Sequence, residues 1–256
     1  MKKLLSIVLC TAAVSAFADP AEVELGAVGV TTITSSLSNT IVAVSYDDLA
    51  GGSGMVYSNL VKTTNLTAGD RLVEFRDDVY TGWVLVESDS VKYWKEEMEY
   101  FQNASGEKSN SSSPTADTVR GAVGTGIWLV RQNPTDENGN AIPFYIYGKP
   151  VSNPKTVVVG GVANLVGNPT ANDVQLTTAI LTDATAGDRI EVPSGIGVLG
   201  RQAYTYDKTN NQWWTIDTGS HLPVNGLPKI LAGQGFWYVS AAPTGTSFTI
   251  SWPKAN

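Results

Sequence analysis

Cysteine and histidine are almost missing from this chain. Its 256 residues include one of each, Cys10 and His221. Cys-His pairs and zinc sites made of several histidines or cysteines are therefore excluded by inventory, as is a disulfide within the chain. Stability has to come from an ordinary apolar core. Basic residues are also scarce: 17 Lys and Arg stand against 24 Asp and Glu, a formal charge of −7. Phosphate backbones and anionic bilayers repel such a chain, so nucleic acid is not an expected partner. Beyond the first 20 residues no apolar run approaches the roughly 18 residues that a membrane helix needs, and no integral membrane segment is expected there.

The one long apolar run is at the start. MKKLLSIVLCTAAVSAFADP has two lysines, an apolar stretch from Leu4 to about Ala16, and a small-x-small ending at Ala16-Phe17-Ala18. This is the pattern of a secretory signal peptide over 1–18, with cleavage expected after Ala18. A lipid anchor on Cys10 would need a small residue directly before it, and Leu9 stands there. Removing this segment takes away Cys10, Lys2 and Lys3, leaving a cysteine-free and more acidic chain. The remainder, from Asp19 on, is long enough for one large β domain or two of about 100 to 120 residues.

Strand signals dominate that remainder. TIVAVSY (40–46), RLVEF (71–75), GWVLVE (82–87), GIWLV (126–130), PFYIYG (143–148), KTVVVGG (155–161), QAYTYD (202–207), GFWYVSA (235–241) and SFTISW (247–252) are short runs rich in β-branched and aromatic residues. Gly, Asn, Asp, Pro and Thr separate them, which predicts an all-β, mostly antiparallel chain of sandwich or barrel-like domains. Helical periodicity is weak. VKYWKEEMEYFQNA (91–104) reads either as one short helix or as a strand end at Tyr93-Trp94, and EKSNSSSPTAD (107–117) reads as a polar, mobile surface loop.

One pentad is spelled twice. Thr-Ala-Gly-Asp-Arg stands at 67–71 and again at 185–189, each time before an apolar-charged alternation. Its surroundings repeat in the same order. An aromatic pair comes next (Tyr93-Trp94; Trp213-Trp214), then a glycine-spaced aromatic strand (Gly124-Thr-Gly126-Ile-Trp128; Gly233-Gln-Gly235-Phe-Trp237), then a closing strand. TIVAVSYDDLAG (40–51) precedes the first pentad where ANLVGNPTANDVQ (163–175) precedes the second. The offset between the copies drifts from about 124 through 118 to 109, as insertions in loops produce. The chain thus reads as two tandem related domains, 22–150 and 154–256, joined near GKPVSNPK. In the pentad, glycine supplies a positive φ and aspartate bonds its own backbone, so it predicts one turn used twice.

The second copy, with ANLVGNP (163–169), TAGDR (185–189) and ILAGQGFWYV (230–239), resembles a small β-sandwich repeat of poorly characterised secreted surface proteins of Gram-negative bacteria. In that family an NL[VI]GNP strand and turn opens the domain and an AGQGFW strand closes it. The resemblance covers nearly all of 155–252. The first copy departs from it, lacking the Gly-Asn-Pro turn and carrying GTGIW for GQGFW. It implies an exported, non-catalytic role and supplies no site residues.

Few groups here can do chemistry. His221 sits in TGSHLPVNG without a Gly-x-Ser-x-Gly elbow and reads as a loop histidine between strands. Asp47-Asp48, Asp77-Asp78 and Glu96-Glu97 are adjacent pairs, and adjacent residues of a strand face opposite sides. Asp136-Glu137-Asn138-Gly139-Asn140 has oxygen ligands but no twelve-residue calcium loop, and Asn-Gly between β runs is a hairpin turn. Aromatics remain. Of Trp213 and Trp214, one faces in and one out, and an outward ring near Tyr204 or Tyr206 is a candidate for stacking on a sugar. Against this, Trp128, Trp237 and one of the Trp213-Trp214 pair read as core residues repeated in both copies.

The sequence therefore predicts an exported, non-catalytic surface or extracellular structural protein that needs no cofactor or metal. Its expected partners are other copies of itself or cell-surface components. The alternative is a binding module, for carbohydrate or another ligand, that uses exposed aromatics.

Overall fold

The computed structural model describes residues 28–76, 79–97, 116, 118–177, 180–181, 183–193, 201–210, 212–216, 221–223 and 227–253; for 76, 79 and 221–223 it describes the backbone alone. The segment 1–18 expected to be a signal peptide, Asp77-Asp78 and, apart from residue 116, the stretch 107–117 expected to be a loop lie outside these residues.

The chain is all-β and sandwich-like. In the N-terminal half lie β1 (Gly29–Ile33), β2 (Asn39–Ala43), β3 (Tyr46–Asp47), β4 (Met55–Val56), β5 (Arg71–Arg76), β6 (Val79–Ser88), β7 (Val91–Glu97), β8 (Arg120–Gly121), β9 (Gly126–Val130) and β10 (Phe144–Pro150). The C-terminal half has β11 (Lys155–Val159), β12 (Ala163–Gly167), β13 (Val174–Gln175), β14 (Arg189–Pro193), β15 (Arg201–Asp207), β16 (Gln212–Ile216), β17 (His221–Pro223), β18 (Lys229–Ile230), β19 (Gly235–Val239) and β20 (Ser247–Ser251). One short helix, α1 (Tyr57–Leu60), and a 3₁₀ turn at Thr63–Asn65 complete the described elements.

The open reading of 91–104 resolves in favour of a strand over its described part. β7 pairs along its whole length with β6, and the one described helix lies instead at Tyr57–Leu60. Alternation explains the choice: Trp94 is buried opposite Leu85, while Val91, Tyr93 and Lys95 point outward. His221, expected in a loop, begins β17, because its backbone pairs with Ile216. β1 and the two-residue strands carry too short a pattern to stand out in the sequence.

Strand order is the same in both halves. One large sheet runs β2-β9-β5-β6-β7, the other β12-β19-β14-β15-β16, with β17 added at its end. A smaller pairing, β1-β10 or β11-β20, covers the inner face of each, and β4-β8 matches β13-β18. All these pairs are antiparallel. Each half has its own apolar cluster: Ile33, Val42, Leu72, Trp83, Leu85, Ile127, Leu129 and Phe144 in the first, Val158, Val166, Ile190, Phe236, Tyr238 and Ile250 in the second. Each such side chain taken from water contributes about 1.5–3 kcal/mol.

The halves also bury a face between them. In GIWLV, Ile127 and Leu129 enter the first core while Trp128 faces the other way; in GFWYV, Phe236 and Tyr238 enter the second core and Trp237 faces the other way. Apolar side chains are thus wanted on both faces, which gives runs without polar interruption. Trp128 meets Trp237 edge to face, ring centroids 5.6 Å apart, among Ile41, Leu165 and Phe75. The contacts around this pair are reciprocal. Ala43 N–H donates to Gly233 O at 2.8 Å, and Gly167 N–H donates to Gly124 O at 2.9 Å. Val42 bridges to Gln234 and Val166 to Thr125. Because Val42 corresponds to Val166 and Thr125 to Gln234, these are one contact made twice about an internal pseudo-dyad. That is the geometry of an isologous interface, in which a residue near the axis meets its own counterpart.

Candidate functional site

The repeated pentad is a structural lock. Gly69 and Gly187 take φ values of 97° and 90°, which an L side chain adopts only under strain. Each glycine N–H and the following aspartate carbonyl clamp the facing strand, at Leu85 in one half and Tyr206 in the other. The aspartates themselves are buried. Asp70 accepts from Thr67 N–H (2.9 Å) and from Gln132 N–H (2.7 Å), just past β9. Asp188 accepts from Thr185 N–H (2.8 Å), from Ala241 N–H (2.6 Å) past β19, and from the Tyr238 hydroxyl (2.5 Å). Burial, then the bond to Asp188, raises the Tyr238 hydroxyl well above the usual phenol range, which keeps it a donor. These carboxylates are spent on stitching a turn to a distant strand end.

The four aromatic candidates do not share one exposed face. Tyr206 pairs opposite Trp213 and packs on it with the rings tilted at 44° and their centroids 5.3 Å apart, and Tyr204 lies two residues along on the same face. That face is the second core, where Trp213 and Tyr204 are buried. Trp214 is on the opposite face, across from Thr205, half-buried and with its indole N–H enclosed and without a partner among the described residues. A stacking platform of Trp214 with Tyr204 or Tyr206 is therefore not what these strands display.

Of the acidic candidates, Asp47, Asp48, Glu97 and Asp136 are likewise engaged. Asp47 accepts from Gly54 N–H at 2.6 Å, while buried Asp48 accepts from Ala50 N–H, Val56 N–H and the Asn59 side chain. Burial alone would raise the Asp48 carboxyl, but those three donors and the nearby Arg120 bring it below the ordinary value. Glu97 takes two bonds from Arg71, at 3.0 and 2.8 Å. Asp136 closes its own hairpin turn, accepting from the N–H groups of Asn138 and Asn140. Among the described residues no group of three or more His, Cys, Asp or Glu is placed to hold a metal ion.

Two cavities stand out that the sequence did not mark. The first lies where the halves meet. Beyond Val73, β5 leaves β9, and β12 of the other half closes over the gap. The resulting cleft, about 400 Å³, has walls of Phe75, Leu165, Val157 and Val159 and a buried carboxylate, Glu74, that accepts from the Tyr57 hydroxyl at 2.7 Å. Its pseudo-dyad mate, lined by Ile41, Val192, Pro193 and Gln234, is nearly filled, at about 30 Å³. Valine and proline stand there where Glu74 and Phe75 stand in the open cleft, so the two ends of the interface have diverged.

The second cavity, about 340 Å³, lies in the N-terminal half between β7 and the α1–3₁₀ segment. Among the described residues β7 ends its sheet, so the cavity borders a strand edge. Its lining includes Lys62, Lys92, Tyr93, Trp94 and Tyr147 and, among the described residues, no aspartate or glutamate. Lys92 donates to Leu66 O at 2.6 Å. Trp94 is 8% exposed, and its indole N–H has no partner among the described residues. The available sequence signal was Lys92 beside the aromatic pair Tyr93-Trp94 in a chain short of basic residues; what hid the cavity is that its other lysine, Lys62, stands 30 positions earlier.

No family model, curated protein or solved structure matches this chain.

Proposed function

We propose that this chain is an exported, non-catalytic structural protein of the cell surface or extracellular space, made of two copies of one β domain, that associates with further copies of itself. The observation that carries this reading is the uncharged, apolar edge that β1 (GVTTI) presents: it ends its sheet among the described residues, and Val30 on it is 58% exposed. β7 also ends a sheet among the described residues and exposes Val91 (61%), but it carries Lys92, Lys95, Glu96 and Glu97 beside it. Natural strand edges are ordinarily blunted by charge or proline, and an edge that presents β-branched apolar side chains is a template for pairing. The reciprocal contacts between the halves support the same reading, since they are the pattern that two associating copies of one domain form. The signal-like first 18 residues and the resemblance to secreted surface repeats support export.

Light scattering coupled to size exclusion over a concentration series tests this. The full chain is expected to grow into dimers or larger species as concentration rises, and Val30→Lys with Val91→Lys to remain a monomer of unchanged stability, both sites being solvent-facing. A strict monomer at every concentration would end self-association as its role.

A further inference from the structure

We propose that the cavity bordering β7 binds an acidic sugar, a pyranose ring bearing a carboxylate. This belongs with the ligand-binding reading; it shares the β7 edge with the proposed self-association, and a titration at a concentration where the chain is monomeric separates the two.

The polar groups around the cavity point to the charge. An ammonium and an indole N–H are donors with no acceptor capacity. Lys62, Lys92 and Trp94 therefore supply donors of positive or neutral character to a space whose described lining has no carboxylate, in a chain of net charge −7. Concentrating two of 17 basic residues at one cavity makes it a local well for anions. The indole N–H of Trp94 has no partner among the described residues and is closed to solvent; because a buried donor without a partner costs about 1–3 kcal/mol, a ligand acceptor that gains access to it relieves that cost.

The aromatic groups point to the body. Tyr93, 48% exposed, and half-buried Tyr147 bring phenol rings to the same lining, and flat rings pack on the apolar faces of sugars. Ser58 and Thr63 add hydroxyls that both donate and accept, as ring hydroxyls require. The volume is within the range of small-molecule sites, about 300–1,000 Å³. The matching place in the other half is built differently: Trp94 lies opposite Leu85 as Trp213 lies opposite Tyr206, one residue off the match of the two aromatic pairs read from the sequence, so Gln212 stands where Tyr93 does, and β17 pairs alongside β16.

The test is an NMR titration of the ¹⁵N-labelled full chain. The probes are galacturonic acid, its trimer, the neutral galactose trimer and sodium sulfate. The Trp94 indole N–H peak, assigned by its loss in Trp94→Phe, is expected to shift with the acidic sugars and not with the neutral trimer. Binding is expected to weaken with added salt, and Lys62→Gln and Lys92→Gln each to weaken it about tenfold or more. Should Trp94→Phe not fold, the Tyr93 amide and the exposed Lys62→Gln variant carry the same comparison. Monomer and trimer shifting the peak alike would identify a free acidic sugar, the trimer alone a polymer-borne one; both support the site. Equal response to the neutral trimer, the same shift with sulfate alone, or no shift up to about 10 mM acidic sugar overturns it.

Discussion

Asp188→Ala is expected to cost about 3–5 kcal/mol, enough to leave a domain of ordinary stability marginal. The carboxylate is wholly buried and accepts from two backbone N–H groups and a phenol. Removing it strands the Tyr238 hydroxyl in the core, loosens the Ser240 hydroxyl at 3.5 Å, and leaves two partly buried backbone N–H groups without their acceptor; each buried donor left unpaired costs about 1–3 kcal/mol, and the partly buried ones less. Asp188→Asn keeps the shape but turns one oxygen into a donor, so it is expected to lose about half as much. Asp70→Ala provides the internal comparison. Asp70 accepts from two backbone donors, and Leu129 stands where Tyr238 stands in the second half, so no phenol is stranded there. Its loss is expected to be smaller by about 1–2 kcal/mol. Urea unfolding followed by tryptophan fluorescence measures all three. Equal, sub-kilocalorie losses for Asp188→Ala and an exposed control would show that the aspartate does not hold the turn to the strand end.

The second large effect concerns the contact between the halves. A Cβ placed on Gly167 would stand 2.6 Å from Ala43 Cα and 2.7 Å from Thr125 O, both backbone atoms of the other half. Backbone there cannot step aside without parting the strands that Gly167 N–H and Ala43 N–H tie together. Gly167→Ala is thus expected to destabilise by about 3 kcal/mol or more. It is also expected to weaken the near-ultraviolet circular dichroism of the coupled Trp128 and Trp237 rings. Gly245→Ala is the control, a positive-φ glycine (87°) with open space around it, for which the backbone strain alone predicts about 1 kcal/mol. If Gly167→Ala proved no worse than Gly245→Ala, the close approach of the two halves would be wrong.

Much of the architecture was legible in the order of residues alone. Runs such as GIWLV and RLVEF carry β-branched and aromatic residues between turn formers, and each became a strand, largely buried on both faces rather than on one. The drift of the repeat offset, too, is compatible with the matching strand orders, since loop insertions leave strand pairing untouched. The site was less legible. Trp213-Trp214 drew attention as an adjacent pair, but adjacency on a strand is what separates their rings onto opposite faces. The cavity at β7 went unseen because its walls come from segments far apart in the chain, from Ser58 to Tyr147.

By itself, the sequence determined local matters: which segments are strands, where they turn, and that an aspartate bonding its own turn comes after a glycine needing positive φ. These depend on alternation and on backbone freedom, both properties of neighbouring residues. Tertiary structure alone decided that Trp128 and Trp237 meet at a pseudo-dyad, that one end of that interface is open and the other filled, and that two distant lysines share a cavity. Those facts depend on how sheets stack and where strand edges end, which long-range packing sets and no short window of residues contains.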